Sequence, residues 1–195
     1  MRKSDKAQNT AASEERANRI LREGSLILWA VLAIFLLVAL LSYDAQDPGW
    51  SRTIADETIQ NAGGSLGAWL ADFLFVVFGV LAYLLPFLLA QRVWKVFKDH
   101  AVSNKAFDWM LVGVRALGFV LIMGAGCGLA YLNHAARGSL PQGVSGVVGD
   151  MVGSASVELL GFYGSNLVLL AATLFGITVF TGLSWLKLFD STGKI

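Results

Sequence analysis

Four long apolar stretches alternate with polar ones along this chain. Residues 25–43 contain neither charge nor proline; residues 66–90 carry Asp72, Gly79 and Pro86; residues 109–132 carry Arg115 and several glycines; residues 165–186 are again uncharged. Each is close to the ~20 residues that cross a ~30 Å hydrocarbon core as a helix. The pattern predicts an all-α membrane protein with four transmembrane helices and a four-span domain over about residues 24–190. Residues 1–23 form a polar tail of mixed charge. Met1 to Thr10 are expected to be disordered, and Glu14 to Glu23 to extend the first helix. The first run is followed by Ser42-Tyr43-Asp44 rather than a small-x-small cleavage site, so it reads as an uncleaved anchor.

The two polar segments on the far side of the spans differ in character. From Ser42 to Asp72 the chain is rich in acidic and turn-forming residues, among them Asp44, Asp47, Pro48 and Gly49. Pro48 fixes its own φ and disfavours helix at Asp47, so the first run is expected to stop there. Asn61, Gly63 and Gly64 read as a flexible hinge and Ser65 as the N-cap of the second helix. Between Pro141 and Gly164, the residues Val144, Val147, Val148, Met151, Val152, Ala155 and Leu159 recur at helical spacing, with Gly143, Gly146, Gly149 and Gly153 on an adjacent face. This predicts a short interfacial or re-entrant helix over about 143–160, laid on the outer surface with its valine face in the membrane. On that reading Val148→Asp disturbs it more than a change at Gly149. The alternative is a flexible glycine-rich connection.

Composition agrees with the pattern: 55% hydrophobic residues against 15% charged, where soluble domains carry about 25% charge. The net charge of +1 is uninformative; its distribution is not. Twelve of the 15 lysines and arginines lie in the N-terminal tail, the segment between spans two and three, and the C-terminal tail. The positive-inside rule then places both termini and His100 in the cytoplasm, and Trp50 and Asp150 outside. Trp29, Trp94, Trp109 and Trp185 fall near one predicted boundary, and Trp69, Tyr43, Tyr131 and Tyr163 near the other, as amphipathic rings prefer. The single cysteine, Cys127, excludes an intrachain disulfide and reads as a packing residue.

Candidate chemistry is sparse. Asp72 and Arg115 are ionisable residues within spans, and such residues are functional candidates by default. Each lies about two turns from an opposite end of its span, so a direct pair is not expected; each is expected to snorkel to its nearer headgroup layer or to make interhelix contacts. Gly124 and Gly128 form a G-x-x-x-G, continued by Gly118, which predicts close helix packing, within the chain rather than between copies. His100 and His134 fall on opposite sides and share no metal. Gly193-Lys194 lacks the Ser or Thr of a phosphate-binding loop, because Ile195 follows, and Leu188 stands where its first glycine belongs. No catalytic, cofactor or metal site is therefore expected in these residues. A small independent transporter or channel remains the alternative, against which the apolar midplane counts. A lipid-modifying enzyme would need clustered His, Asp or Glu at one interface, which the sequence does not supply.

The order Ser42-Tyr43, Asp47-Pro48-Gly49-Trp50-Ser51, Asn61-Ala62-Gly63-Gly64 and Gly67-Ala68-Trp69-Leu70-Ala71-Asp72 resembles the first periplasmic loop of the FtsK/SpoIIIE family of bacterial DNA translocases. Phe78-Gly79-Val80 and Thr181-Gly182-Leu183-Ser184-Trp185 continue the likeness. It covers about residues 20–189. The resemblance implies a membrane domain in the bacterial inner membrane that helps assemble the division machinery at the septum, with other septal proteins as partners. The loop residues Asp47, Pro48, Trp50, Asn61, Gly63, Gly64, Gly67 and Asp72 become candidates for contacting them. It further implies that residues 191–195 open a cytoplasmic linker to a hexameric motor beyond Ile195. ATP, magnesium, DNA contact and any homo-oligomerisation would belong to that motor and not to this chain.

Overall fold

A computed structural model describes residues 2–52, 58–98, 109–133 and 143–182. All regular structure among them is helical: α1 (Arg2–Leu41), α2 (Gly64–Phe78), a 3-10 helix (Gly79–Tyr83), α3 (Leu84–Lys98), α4 (Trp109–Asn133) and α5 (Gly146–Thr181). Four stretches, Glu23–Leu41, Gly64–Gln91, Met110–Asn133 and Gly146–Thr181, are long and apolar enough to cross a membrane. His100, Lys105, His134, Arg137, Trp185, Lys187 and the linker 191–195 lie outside the described residues.

Several boundaries differ from those the sequence predicts. α1 begins at Arg2 instead of after a disordered tail; the segment Ala11–Glu23 is rich in alanine, glutamate, arginine and leucine, all good helix formers. It ends at Leu41, well before Pro48, so the proline does not stop it. The second span is interrupted, and not at its proline. Gly79 takes φ 55°, ψ −141°, a backbone region nearly reserved for glycine, and the chain passes through a turn of 3-10 helix before α3. Pro86 then sits in the first turn of α3, where its missing N–H leaves no hydrogen bond unmade.

α5 is two helices joined at Gly161, whose φ 66° and ψ 174° break the helical path. Along the first arm, Gly149 packs on Cys127, Val152 on Gly128 and Gly153 on Tyr131; along the second, Asn166 meets Asn133, Leu169 meets Gly128 and Phe180 meets Gly118. The two arms therefore run in opposite senses along α4, and the chain reverses at Gly161. The first arm starts deep: Gly146 lies against Val77, Phe78 and Gly79, at the far end of the 15-residue α2, ~22 Å from its start at 1.5 Å per residue. The segment is re-entrant, not laid on the outer surface. Its buried face is Gly146, Gly149 and Gly153, while Met151 and Leu159 of the expected membrane face are 68% and 82% exposed. In lipid an apolar side chain gains nothing by turning inward, and small residues that allow backbones to approach take the inner face instead. The second arm ends at Thr181 with Gly182 as left-handed C-cap, short of the expected residue 186.

The core around α1, α2 and α3 is formed by Leu36, Leu40, Ala71, Leu74, Phe75 and Ala82. Phe75 is fully buried between Tyr43 and Tyr83, edge-on to both at 4.9 and 5.2 Å. α4 and α5 form the second packed group. The two groups meet at the Gly79 break, where Val80 N–H donates to Val144 O (2.9 Å) and Cys127 Sγ to Phe78 O (3.4 Å).

Candidate functional site

The segment between α1 and α2 is a folded structure tied to both helix ends. A helix leaves its last carbonyls without partners, and here the loop, with Tyr83 of the 3-10 helix, supplies them. Ser42 N–H and Oγ both donate to Val38 O (3.0 and 2.7 Å), Asn61 Nδ2 donates to Ala39 O (2.8 Å), and Tyr83 Oη to Leu40 O (3.4 Å). Asn61 also donates to Ser42 O (3.2 Å) and accepts from Gly63 N–H (2.8 Å). Gly67 packs against this amide. Asp47 clamps the far strand of the loop, accepting from Gln60 N–H (2.7 Å) and Asn61 N–H (2.8 Å). Asn61 and Gly63 are thus fixed points rather than a hinge. Gly63 is the N-cap of α2, Gly64 its first residue at φ 65°, and Ser65 lies inside the helix with no capping role.

Asp72 is the second anchor. It is 2% exposed and accepts from Ser51 N–H (2.6 Å), Ser51 Oγ (3.1 Å) and Tyr43 Oη (3.2 Å). Its carboxyl turns inward to the loop instead of snorkelling, because three donors there replace water. Gly49 lies directly on it: a Cβ at position 49 would stand 2.6 Å from Asp72 Cγ. Tyr43, just beyond α1, has its hydroxyl pushed up to about 12 by burial and then by the neighbouring Asp72, so it remains a donor. Arg52 donates to Ala45 O across the turn.

Over this polar frame lies an aromatic ridge. Trp50 stands edge-on to Phe73 (5.5 Å, 89°), which stacks on Trp69 (6.0 Å, 6°). Trp50 and Trp69 are both exposed. Pro48 lies between the Asp47 clamp and this ridge, half-buried. The sequence singled out Asp47, Asn61 and Asp72 but not Ser51 or Phe73. Ser51 reads only as the end of the Asp47–Ser51 motif and Phe73 not at all, since their roles arise only when the loop folds back on α2.

The other candidates are scattered. Arg115 is half-buried in α4, remote from Asp72, whose partners all come from the loop. Gly118 packs on Phe180 and Gly176, and Gly128 on Leu169 and Val152, but a side chain at Gly124 would meet open space. The G-x-x-x-G pair therefore does not act as one intrachain contact. Asp150, expected outside, lies next to Gly149, which packs on Cys127; Ser145 Oγ donates to it at 2.6 Å. Broken helices do meet at mid-depth, yet the backbone and hydroxyl groups there satisfy one another. Among the described residues no cluster of three metal-ligating side chains occurs.

Four apolar spans, a break and a re-entrant arm sealed by internal contacts, and a folded extramembrane loop define a multi-pass membrane-anchoring domain. Residues 18–193 match the family described as the 4TM region of DNA translocase FtsK/SpoIIIE, and the chain belongs to that family. It is 42% identical over 177 residues to a DNA translocase FtsK of Pseudomonas putida, covering 90% of this chain and 21% of that one. It is 40% identical over 199 residues to the FtsK of Pseudomonas aeruginosa (100% and 24%) and 41% over 175 residues to that of Vibrio vulnificus (90% and 18%). The chain thus spans about a fifth to a quarter of the length of these relatives. No solved structure matches it. It is the membrane-anchoring domain of an FtsK-family protein of the inner membrane, not an independent transporter.

Proposed function

We propose that this domain places a DNA translocase at the division septum, and that the loop between α1 and α2 is its docking surface for other septal proteins. The observation that carries the reading is the loop's construction: a buried polar frame of Asp47, Asn61 and Asp72 holds an exposed aromatic ridge, Trp50 and Trp69 on Phe73. A rigid scaffold presenting tryptophan is the arrangement in which binding energy concentrates. Both termini face the cytoplasm and the loop faces the periplasm, supported by the distribution of lysine and arginine. ATP, magnesium, nucleic acid and self-association belong to a motor outside these residues; this chain supplies position.

The test uses the full-length protein. Trp50→Ala with Trp69→Ala is expected to remove about 2 kcal/mol or more of partner binding, ~30-fold in affinity, and to abolish septal fluorescence of a tagged protein at unchanged membrane abundance. Normal septal localisation of that variant overturns the docking role. Orientation is checked separately. Cysteine at position 50 is expected to label from the periplasm and cysteine at position 100 only after permeabilisation; Cys127 is buried and stays silent. Labelling of both from one side rejects the topology.

A further inference from the structure

A lateral groove of about 640 Å³ opens between the 3-10 helix, α4 and the second arm of α5. Its walls are Val80, Leu81, Leu129, Ala130, Leu167 and Leu170. Asn133, Asn166 and Tyr163 stand at its mouth. Asn133 directly follows the third apolar run, residues 109–132, so the mouth lies at the polar border of the spans. Gly126 on the floor is ~10 Å deeper, and Leu81 follows the mid-depth break. The groove is therefore amphiphilic along the membrane normal, polar at the helix ends and apolar below.

The polar mouth is only partly used by the protein. Asn133 Nδ2 donates to Leu129 O (2.9 Å) and to Asn166 Oδ1 (2.8 Å), while Asn166 Nδ2 donates to Phe162 O (2.9 Å). An amide offers two N–H donors and one oxygen acceptor. One N–H of Asn166 and the Oδ1 of Asn133 are left for a ligand, beside the exposed hydroxyl of Tyr163. No lining residue carries a charge.

We propose that this groove binds one phospholipid with a hydrogen-bond-donating headgroup. One acyl chain lies along Leu129, Leu167 and Leu170; the phosphate accepts from Asn166 and Tyr163, and the headgroup donates to Asn133. The volume is that of a small-molecule site. Leu167 is 73% exposed at the lateral opening, so the site fills from the bilayer plane.

Native mass spectrometry of the protein released from nanodiscs of phosphatidylethanolamine or phosphatidylcholine tests this. The expected result is one retained phospholipid per chain, with the ethanolamine lipid preferred. Leu167→Trp, which plugs the groove, is expected to lower occupancy about tenfold, and Leu170→Trp to do the same. Leu174→Trp, exposed on the same arm but outside the groove, should leave it unchanged. Tyr163→Phe, which removes a donor to the phosphate common to both lipids, should lower retention of both alike while the melting temperature stays put. Equal retention by the 167 and 174 variants, no retained lipid in the wild type, or capture of a protein helix in place of lipid by a photo-reactive residue at 167 would each overturn the proposal.

Discussion

Asp72 is the residue whose role changes most between sequence and structure. An acid two turns inside an apolar span invites the snorkelling interpretation, under which alanine and leucine replacements behave alike and cost little. In the fold its carboxyl receives three hydrogen bonds from Ser51 and Tyr43. Removing it leaves those donors without an acceptor, and a buried unsatisfied donor costs about 1–3 kcal/mol. Asp72→Ala is expected to destabilise the loop by ~2–4 kcal/mol in total, read as faster proteolysis between residues 42 and 63. Asp72→Asn, which keeps one acceptor oxygen, should fall between alanine and wild type. Proteolysis of the alanine variant at the wild-type rate would rule out this anchor. Tyr43 adds a pH signature. Its hydroxyl, ordinarily near 10.0, is pushed up to about 12 in the fold, so the folded state holds the proton more tightly than the unfolded one. Its contribution is complete below pH 10 and is lost as pH rises toward 12. Protease protection of the loop should be flat between pH 7 and 9 and decline above 10, and Tyr43→Phe should remove that step.

At the scale of elements, the re-entrant arm of α5 turns Met151 and Leu159 outward, as a membrane-facing apolar face should be, and packs on the protein through its glycines. The valines and Met151 recur at helical spacing, but the face that packs is glycine. A Cβ at Gly149 would lie 2.6 Å from Cys127 O, and at Gly153 it would overlap the Tyr131 ring. Gly149→Val and Gly153→Val are therefore expected to unseat the arm, at a cost of several kcal/mol typical of overpacking (~1–3 per site). Met151→Ala should be nearly neutral. The readout is cysteine accessibility at Ser156, half-buried in the packed arm, which rises if the arm leaves α4. The opposite ranking would make Met151, and not the glycines, the packed side of the arm.

At the scale of the whole molecule, two helical groups meet at one small junction, and the α4–α5 group depends on close backbone approach. Gly118 and Gly176 face each other, with a Cβ on Gly176 only 3.0 Å from Gly118 O. Gly118→Leu is expected to split this packing and lower the thermal midpoint of the detergent-solubilised protein by several degrees, in line with ~1–3 kcal/mol of overpacking. Gly124→Leu enters open space and should leave the midpoint unchanged. Equal effects from the two would mean that the G-x-x-x-G motif acts as a unit after all. The same architecture explains why the domain anchors rather than transports: where its broken helices meet, Val80 N–H is taken by Val144 O and Ser145 Oγ by Asp150, and a transporter would leave such groups for a substrate.

The sequence by itself determined the four spans, because ~20 apolar residues in a row have no other stable place than a bilayer. It also determined the family, through an ordered set of short motifs that no single residue explains. The polar loop residues were legible as a group, since Asp47, Asn61 and Asp72 stand out against an apolar chain. Their pairings were not: Asp47 reaches Asn61 across 14 positions and Asp72 reaches Tyr43 across 29, and only the return of the chain along α2 sets those distances. Helix direction was equally hidden. The break at Gly79, the reversal at Gly161 and the inward glycine face of the re-entrant arm each depend on what backbone lies opposite. Local composition cannot encode that, because in lipid the drive to bury a side chain is replaced by the fit of one helix surface to another.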